Sequence, residues 1–218
     1  IMQHVTTPIA TTQQWMFRVF SWMVAGLVMT GIIAYFLSQN PAVPETLATN
    51  PGYFWGIIIA ELVVVFGLFF LINRISPLVA TIGFFLYAGL NGIFMTMLLH
   101  YFNLGTVFAA FFIAAGMFGL FAIYGYVTKR DLTKVGSIAI MFLIGVIIAS
   151  MVNVFFLKSG VMSLVISYAI VGLFCIITAF DIQRIKGMAE QAMDDEMAEK
   201  MAIFGALALY IDFIAIFQ

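Results

Sequence analysis

Seven apolar runs of about twenty residues, separated by short polar connections, leave this chain few ways to fold. An α-helix rises about 1.5 Å per residue, so roughly 20 apolar residues cross a bilayer core of about 30 Å. The runs cover 19–38, 53–72, 78–99, 106–127, 135–157, 161–182 and 201–218, the last being the shortest. Within lipid every backbone amide and carbonyl needs a partner from the chain itself, and a helix supplies these within each segment. The expected fold is therefore all-α: a polytopic membrane protein with seven transmembrane helices in a single transmembrane domain over residues 1–218. Composition agrees, since 64% of the 218 residues are hydrophobic and only 9% charged, well outside the range of soluble domains.

Lys and Arg are retained on the cytoplasmic side of short loops, so their placement sets the orientation. Arg18, Arg74, Lys129, Arg130, Lys134, Arg184, Lys186 and Lys200 all fall on one side of the seven-span arrangement, and Lys158 alone on the other. The amino terminus is thus expected in the cytoplasm. The formal net charge of -1 suggests no nucleic-acid partner and no polybasic anchor. The polar start "IMQHVTTPIATTQQ" lacks the basic and apolar regions of a cleavable signal. Because the sequence begins with Ile and stops inside an apolar run, trimming at one or both ends is expected. The stretch "GMAEQAMDDEMAEK", 187–200, reads as a small acidic amphipathic helix on the cytoplasmic face.

The informative residues are those that are costly to place in a membrane. Glu61, Asp181 and Asp212 lie in spans, where an ionised carboxylate costs about 2.5–3.5 kcal/mol at the helix centre on insertion scales. Asp212 lies about eleven residues into the last run, with no Lys or Arg inside that run. Asp181, in "TAFDIQRIK", sits near the cytoplasmic end of the sixth span with Arg184 at i+3, the spacing of an ordinary helical ion pair. Consecutive antiparallel helices bring the two aspartates together if the sixth helix continues into the cytosol or the seventh begins there. Two carboxyl groups meeting in a low dielectric would share a proton, which makes a pH sensor. Glu61, in "IIIAELVVVFG", is expected to add a third acid to the same interior, with Arg74 as a mobile counter-charge or simply a cytoplasmic anchor. Each carboxylate also has a structural reading, as a neutral acid hydrogen-bonded to a neighbouring helix. Asn91 and Asn153 read as interhelical hydrogen-bonding residues, the lone Cys175 as a small core hydrophobe, and His4 and His100 as too isolated to hold a metal.

Paired intramembrane aspartates suit a proton-gated ion pathway or an intramembrane aspartyl protease. Presenilin-type proteases carry GxGD at the second aspartate and a later Pro-Ala-Leu. Here Asp212 follows Leu209, Tyr210 and Ile211, and no Pro-Ala-Leu occurs. A retinal protein would need a lysine in the middle of the last span, and Lys200 is only at its edge. No enzymatic activity and no cofactor are expected.

Three motifs, "VTKRDLTKVGS" after the fourth span, "TAFDIQRIK" ending the sixth and "ALALYIDFIAIF" in the seventh, resemble those of the transmembrane Bax inhibitor motif family in its bacterial branch. The resemblance covers nearly the whole chain. It implies six helices around a central seventh, a place in the bacterial inner membrane, and a pH-dependent calcium leak, with calcium as transported ion bound transiently near Asp181 and Asp212. By the same resemblance Asp181 and Asp212 match the family's pH-sensing aspartates, Glu61 its acidic residue on the ion route, and Arg74 its switch partner. The remaining reading is a non-conducting regulator that binds a membrane quality-control protease or another protein partner.

Overall fold

The computed structural model describes residues 12–71, 74–188 and 195–218, which are helical nearly throughout and form no strand. The described helices are α1 (Thr12–Ser38), α2 (Ala42–Thr49), α3 (Pro51–Leu71), α4 (Pro77–Tyr101), α5 (Leu104–Val127), α6 (Thr133–Val152), α7 (Gly160–Met188) and α8 (Asp195–Phe217). A π-helical turn, Asn153–Leu157, continues α6. All but the short α2 are long and apolar enough to cross a membrane, so the seven expected spans are present. Of the seven, α8 is the most enclosed, with 67% of its apolar window buried against 39% in α4, the next highest.

Several helix ends differ from the sequence expectation, each for a local reason. Among the described residues α1 begins at Thr12, because Trp15 and Met16 extend the buried stripe that continues through Val19 and Met23. The acidic stretch 187–200 does not form a separate surface helix over its described part. Gly187 and Met188 end α7, and Asp195–Lys200 are the first turns of α8; positions 189–194 lie outside the described residues. Asp195 and Glu196 suit a helix start, where the dipole favours carboxylates, and Glu196 pairs with Lys200 one turn on at 3.2 Å. The short α2 was not foreseen; it buries Pro44 and Leu47. Ser76 caps α4 by accepting from Val79 N at 3.4 Å, with Pro77 at the first helical position. Asn103 Oδ1 accepts from Thr106 N at 2.8 Å and so starts α5.

The helices gather into two compact units: residues up to Ala109 with Met188–Tyr210, and Ala110–Gly187 with Ile211–Gln218. In the first, α1 and α4 pack along their length through small residues. Gly26 receives the Phe84 ring, and Thr30 Oγ1 lies 2.9 Å from Ala88 O. In the second, α7 is pressed against both α5 and α6. Gly125 of α5 abuts the backbone of Ala179, and Gly136 of α6 abuts the Phe180 ring, approaches that leave no room for a Cβ at either position. Asn153 accepts from Ser159 N at 3.0 Å and donates to Ser163 Oγ at 2.8 Å, which ties the end of α6 to α7 as expected of it. Asn91 instead donates to Tyr87 O at 3.4 Å, because its own helix supplies a carbonyl one turn back.

Candidate functional site

The second unit holds the aspartate pair. Asp181 and Asp212 are 8% and 2% exposed, which makes them two of the few buried polar residues in the structure. The two close approaches just described fix the residues before Asp181, so that the carboxyl of α7 is presented toward α8. Asp212 lies within electrostatic range of Asp181, Arg184 and Cys175. Cys175, Thr178 and Asp181 recur every third residue on α7 and are all buried, which places them on one side of that helix. Cys175 is the small core residue expected, 1% exposed.

The juxtaposition relied on extra helix length at the cytoplasmic end, and both helices have it. α7 continues six residues past 182, and α8 begins six residues before 201. Arg184 Nη1 meets Asp181 Oδ1 at 3.5 Å, the i+3 pair that the sequence spacing allowed. Among the described residues no ion pair of contact length forms at Asp212. The Thr178 hydroxyl faces its carboxyl and also lies 2.7 Å from Phe174 O. A hydroxyl at that place can donate to a bare carboxylate or accept from a protonated one. Asp212 Oδ2 is enclosed and has no hydrogen-bond partner among the described residues. Next to Asp212 in sequence, Phe213 packs edge-on against Phe111 and Phe118 of α5.

Glu61 belongs to the other unit. Its Oε1 is enclosed without a hydrogen-bond partner among the described residues, and Tyr87 and Tyr210 lie within range of its charge. Tyr210 is fully buried, with Oη 2.6 Å from Thr30 Oγ1 and its ring against Phe84 and Tyr87. The sequence reading passed over these hydroxyls. Only the position of Tyr210 two residues before Asp212 hinted at them. Arg74 is exposed in the connection after α3, and the cation that meets Asp181 is Arg184. Among the described residues no three His, Cys, Asp or Glu side chains converge as a metal cage. His100 packs edge-on against Tyr101, and His4 lies outside the described residues.

The family model described as Inhibitor of apoptosis-promoting Bax1 matches residues 12–218, a span that includes α7, α8 and both aspartates. The chain belongs to this family. Among its relatives, the inner membrane protein YbhL of Escherichia coli K12 is 39% identical over 215 residues, covering 98% of this chain and 92% of the relative. A protein of Deinococcus radiodurans is 38% identical over 217 residues, covering 96% and 92%. One of Borreliella burgdorferi is 37% identical over 201 residues, covering 92% and 86%. This member of the Bax inhibitor family is accordingly a multi-pass protein of the bacterial inner membrane, in keeping with its seven spans and its inner membrane relative.

Proposed function

We propose that the protein is a cation leak, with calcium as the transported ion, whose gate is the protonation of the Asp181 and Asp212 pair. The observation that supports this most directly is the environment of Asp212. Its carboxyl is enclosed, has Oδ2 without a partner among the described residues, and faces the Thr178 hydroxyl and a second carboxyl in Asp181. Such a group gains one set of contacts with a proton and another without it. With the proton, Asp212 brings no charge to the α7–α8 contact. Without it, two like charges face each other, and Arg184 is drawn between Asp181 and Asp212 or the helices part.

Calcium is held best by six to eight oxygens. A site with two carboxylates and few further oxygens suits passage rather than storage. Glu61, with Tyr87 and Tyr210 beside it, supplies a further oxygen cluster for the ion route.

The test is calcium flux into proteoliposomes from about pH 5.5 to about pH 8.5, for the wild type and Asp212→Asn. Flux that varies with pH in the wild type and flattens in the variant supports the gate. No flux above empty liposomes in either protein sinks the leak and leaves a regulator that acts through a protein partner.

A further inference from the structure

We infer that the turn between α5 and α6 is a binding site for an anionic phospholipid headgroup, formed by Lys129, Arg130 and Lys134. These three cations fall within six consecutive positions at the cytoplasmic ends of two spans, and all three are exposed. Cytoplasmic orientation alone requires only that basic residues lie on that side. What goes beyond it here is that the turn carrying them is held in one shape by α7.

Gln183 does the holding. Its Oε1 accepts from Leu132 N at 2.8 Å, and its Nε2 donates to Arg130 O at 2.8 Å, so one side-chain amide grips the turn by its backbone on both sides of Asp131. Leu132 is buried beneath. One turn along α7, Lys186 Nζ donates to Tyr126 O at 3.2 Å and lies 4.8 Å over the Tyr126 ring, satisfying a carbonyl in the last turn of α5. The cations of α7 are thereby engaged with the protein, Arg184 on Asp181 and Lys186 on Tyr126. Among the described residues, no ion pair of contact length forms at Lys129, Arg130 or Lys134.

The one carboxylate in the turn does not cancel them. Asp131 Oδ1 accepts from Thr133 N at 2.9 Å, which turns it to the start of α6, with Lys134 in its electrostatic range. Directly membrane-ward of the cations are exposed apolar side chains: Tyr124 and Val127 on α5, Val135, Ile138 and Phe142 on α6. A rigid cationic turn above an apolar surface matches a ligand with a phosphate head and acyl tails, and basic clusters at the cytoplasmic ends of spans attract such heads electrostatically. The phospholipid of the surrounding leaflet is the occupant that satisfies both parts.

Because Gln183 grips only backbone atoms, replacing the three cationic side chains leaves the turn intact, and the variants are expected to fold. The experiment is native mass spectrometry of the full chain in detergent, offered cardiolipin, phosphatidylglycerol or phosphatidylcholine. The wild type is expected to retain the anionic lipids in preference. Each of Lys129→Gln, Arg130→Gln and Lys134→Gln is expected to weaken retention about fivefold, and the triple variant about a hundredfold. Lys158→Gln, at the other end of α6, should leave it unchanged. Should the triple variant elute differently from the wild type, the single variants decide by their own steps. Equal retention of anionic and zwitterionic lipid by the wild type, or undiminished retention by the charge variants, overturns the proposal. Displacement of the lipid by millimolar inorganic phosphate also overturns it, because the turn would then recognise the free anion.

Discussion

Replacing Gly125 with alanine adds one methyl group to a helix face that has no space for it. An ideal Cβ there would lie 2.8 Å from the Ala179 Cα and carbonyl carbon and would overlap the carbonyl oxygen. Carbon atoms pack at about 3.5–4.0 Å, so α5 and α7 must separate by about 1 Å, and the obstacle is backbone that cannot rotate aside. Overpacking of this kind costs about 1–3 kcal/mol. Gly119 lies on the same helix with no atom within 4 Å of its virtual Cβ, so Gly119→Ala gains about 0.5–1 kcal/mol from the lost freedom of glycine. The same substitution six residues apart should thus differ by about 1.5–4 kcal/mol, with opposite signs. Unfolding of the purified protein in mixed micelles of rising SDS fraction, followed by circular dichroism, measures the difference. A Gly125→Ala protein as stable as Gly119→Ala would refute the reasoning. Since Ala179 is two residues before Asp181, the proposed aspartate gate further requires the destabilised variant to differ from the wild type in the pH dependence of any calcium flux.

In the first unit, Thr30 has one proton for the Gly26 and Ala88 carbonyls, at 3.0 and 2.9 Å, so Tyr210 must be the donor in their 2.6 Å contact. A double-mutant cycle of Tyr210→Phe and Thr30→Val should give a coupling of about 0.6 kcal/mol, up to about 1.7, and a coupling of zero would remove the bond from the account. Gln183→Ala removes both bonds to the 130–132 turn, and amide exchange over residues 128–136 should accelerate while exchange in α1 and α4 stays unchanged. Asp131 is held below its ordinary pKa of 3.8 by hydrogen bonds from the Thr133 hydroxyl and backbone N–H. Its folded pKa being depressed, its contribution is present above that value and disappears as pH falls through the lower one. Exchange of the Thr133 amide should quicken over that acid window in the wild type and show no such step in Asp131→Asn.

Reading along the chain was enough for the number and rough limits of the spans, because the cost of an unpartnered backbone in lipid makes apolar length nearly synonymous with a helix. The sequence alone also singled out Asp181 and Asp212, since a carboxylate inside an apolar run is legible without any fold, and the Arg184 pair, since i+3 spacing is a property of one helix. It misjudged 195–200, which open α8, because periodicity does not reveal where an amphipathic start merges into an apolar span. What no single run could reveal was which residues meet across helices: Thr178 facing Asp212, Tyr210 donating to Thr30, Gln183 gripping the turn before α6. Gly125 carries no chemical label, and its role depends on the Ala179 backbone fifty-four residues away. Hydropathy and charge act locally and can be read in order along the chain, whereas close approach and hydrogen-bond partnership depend on the rotation and depth of each helix against its neighbours, which only the packed structure decides.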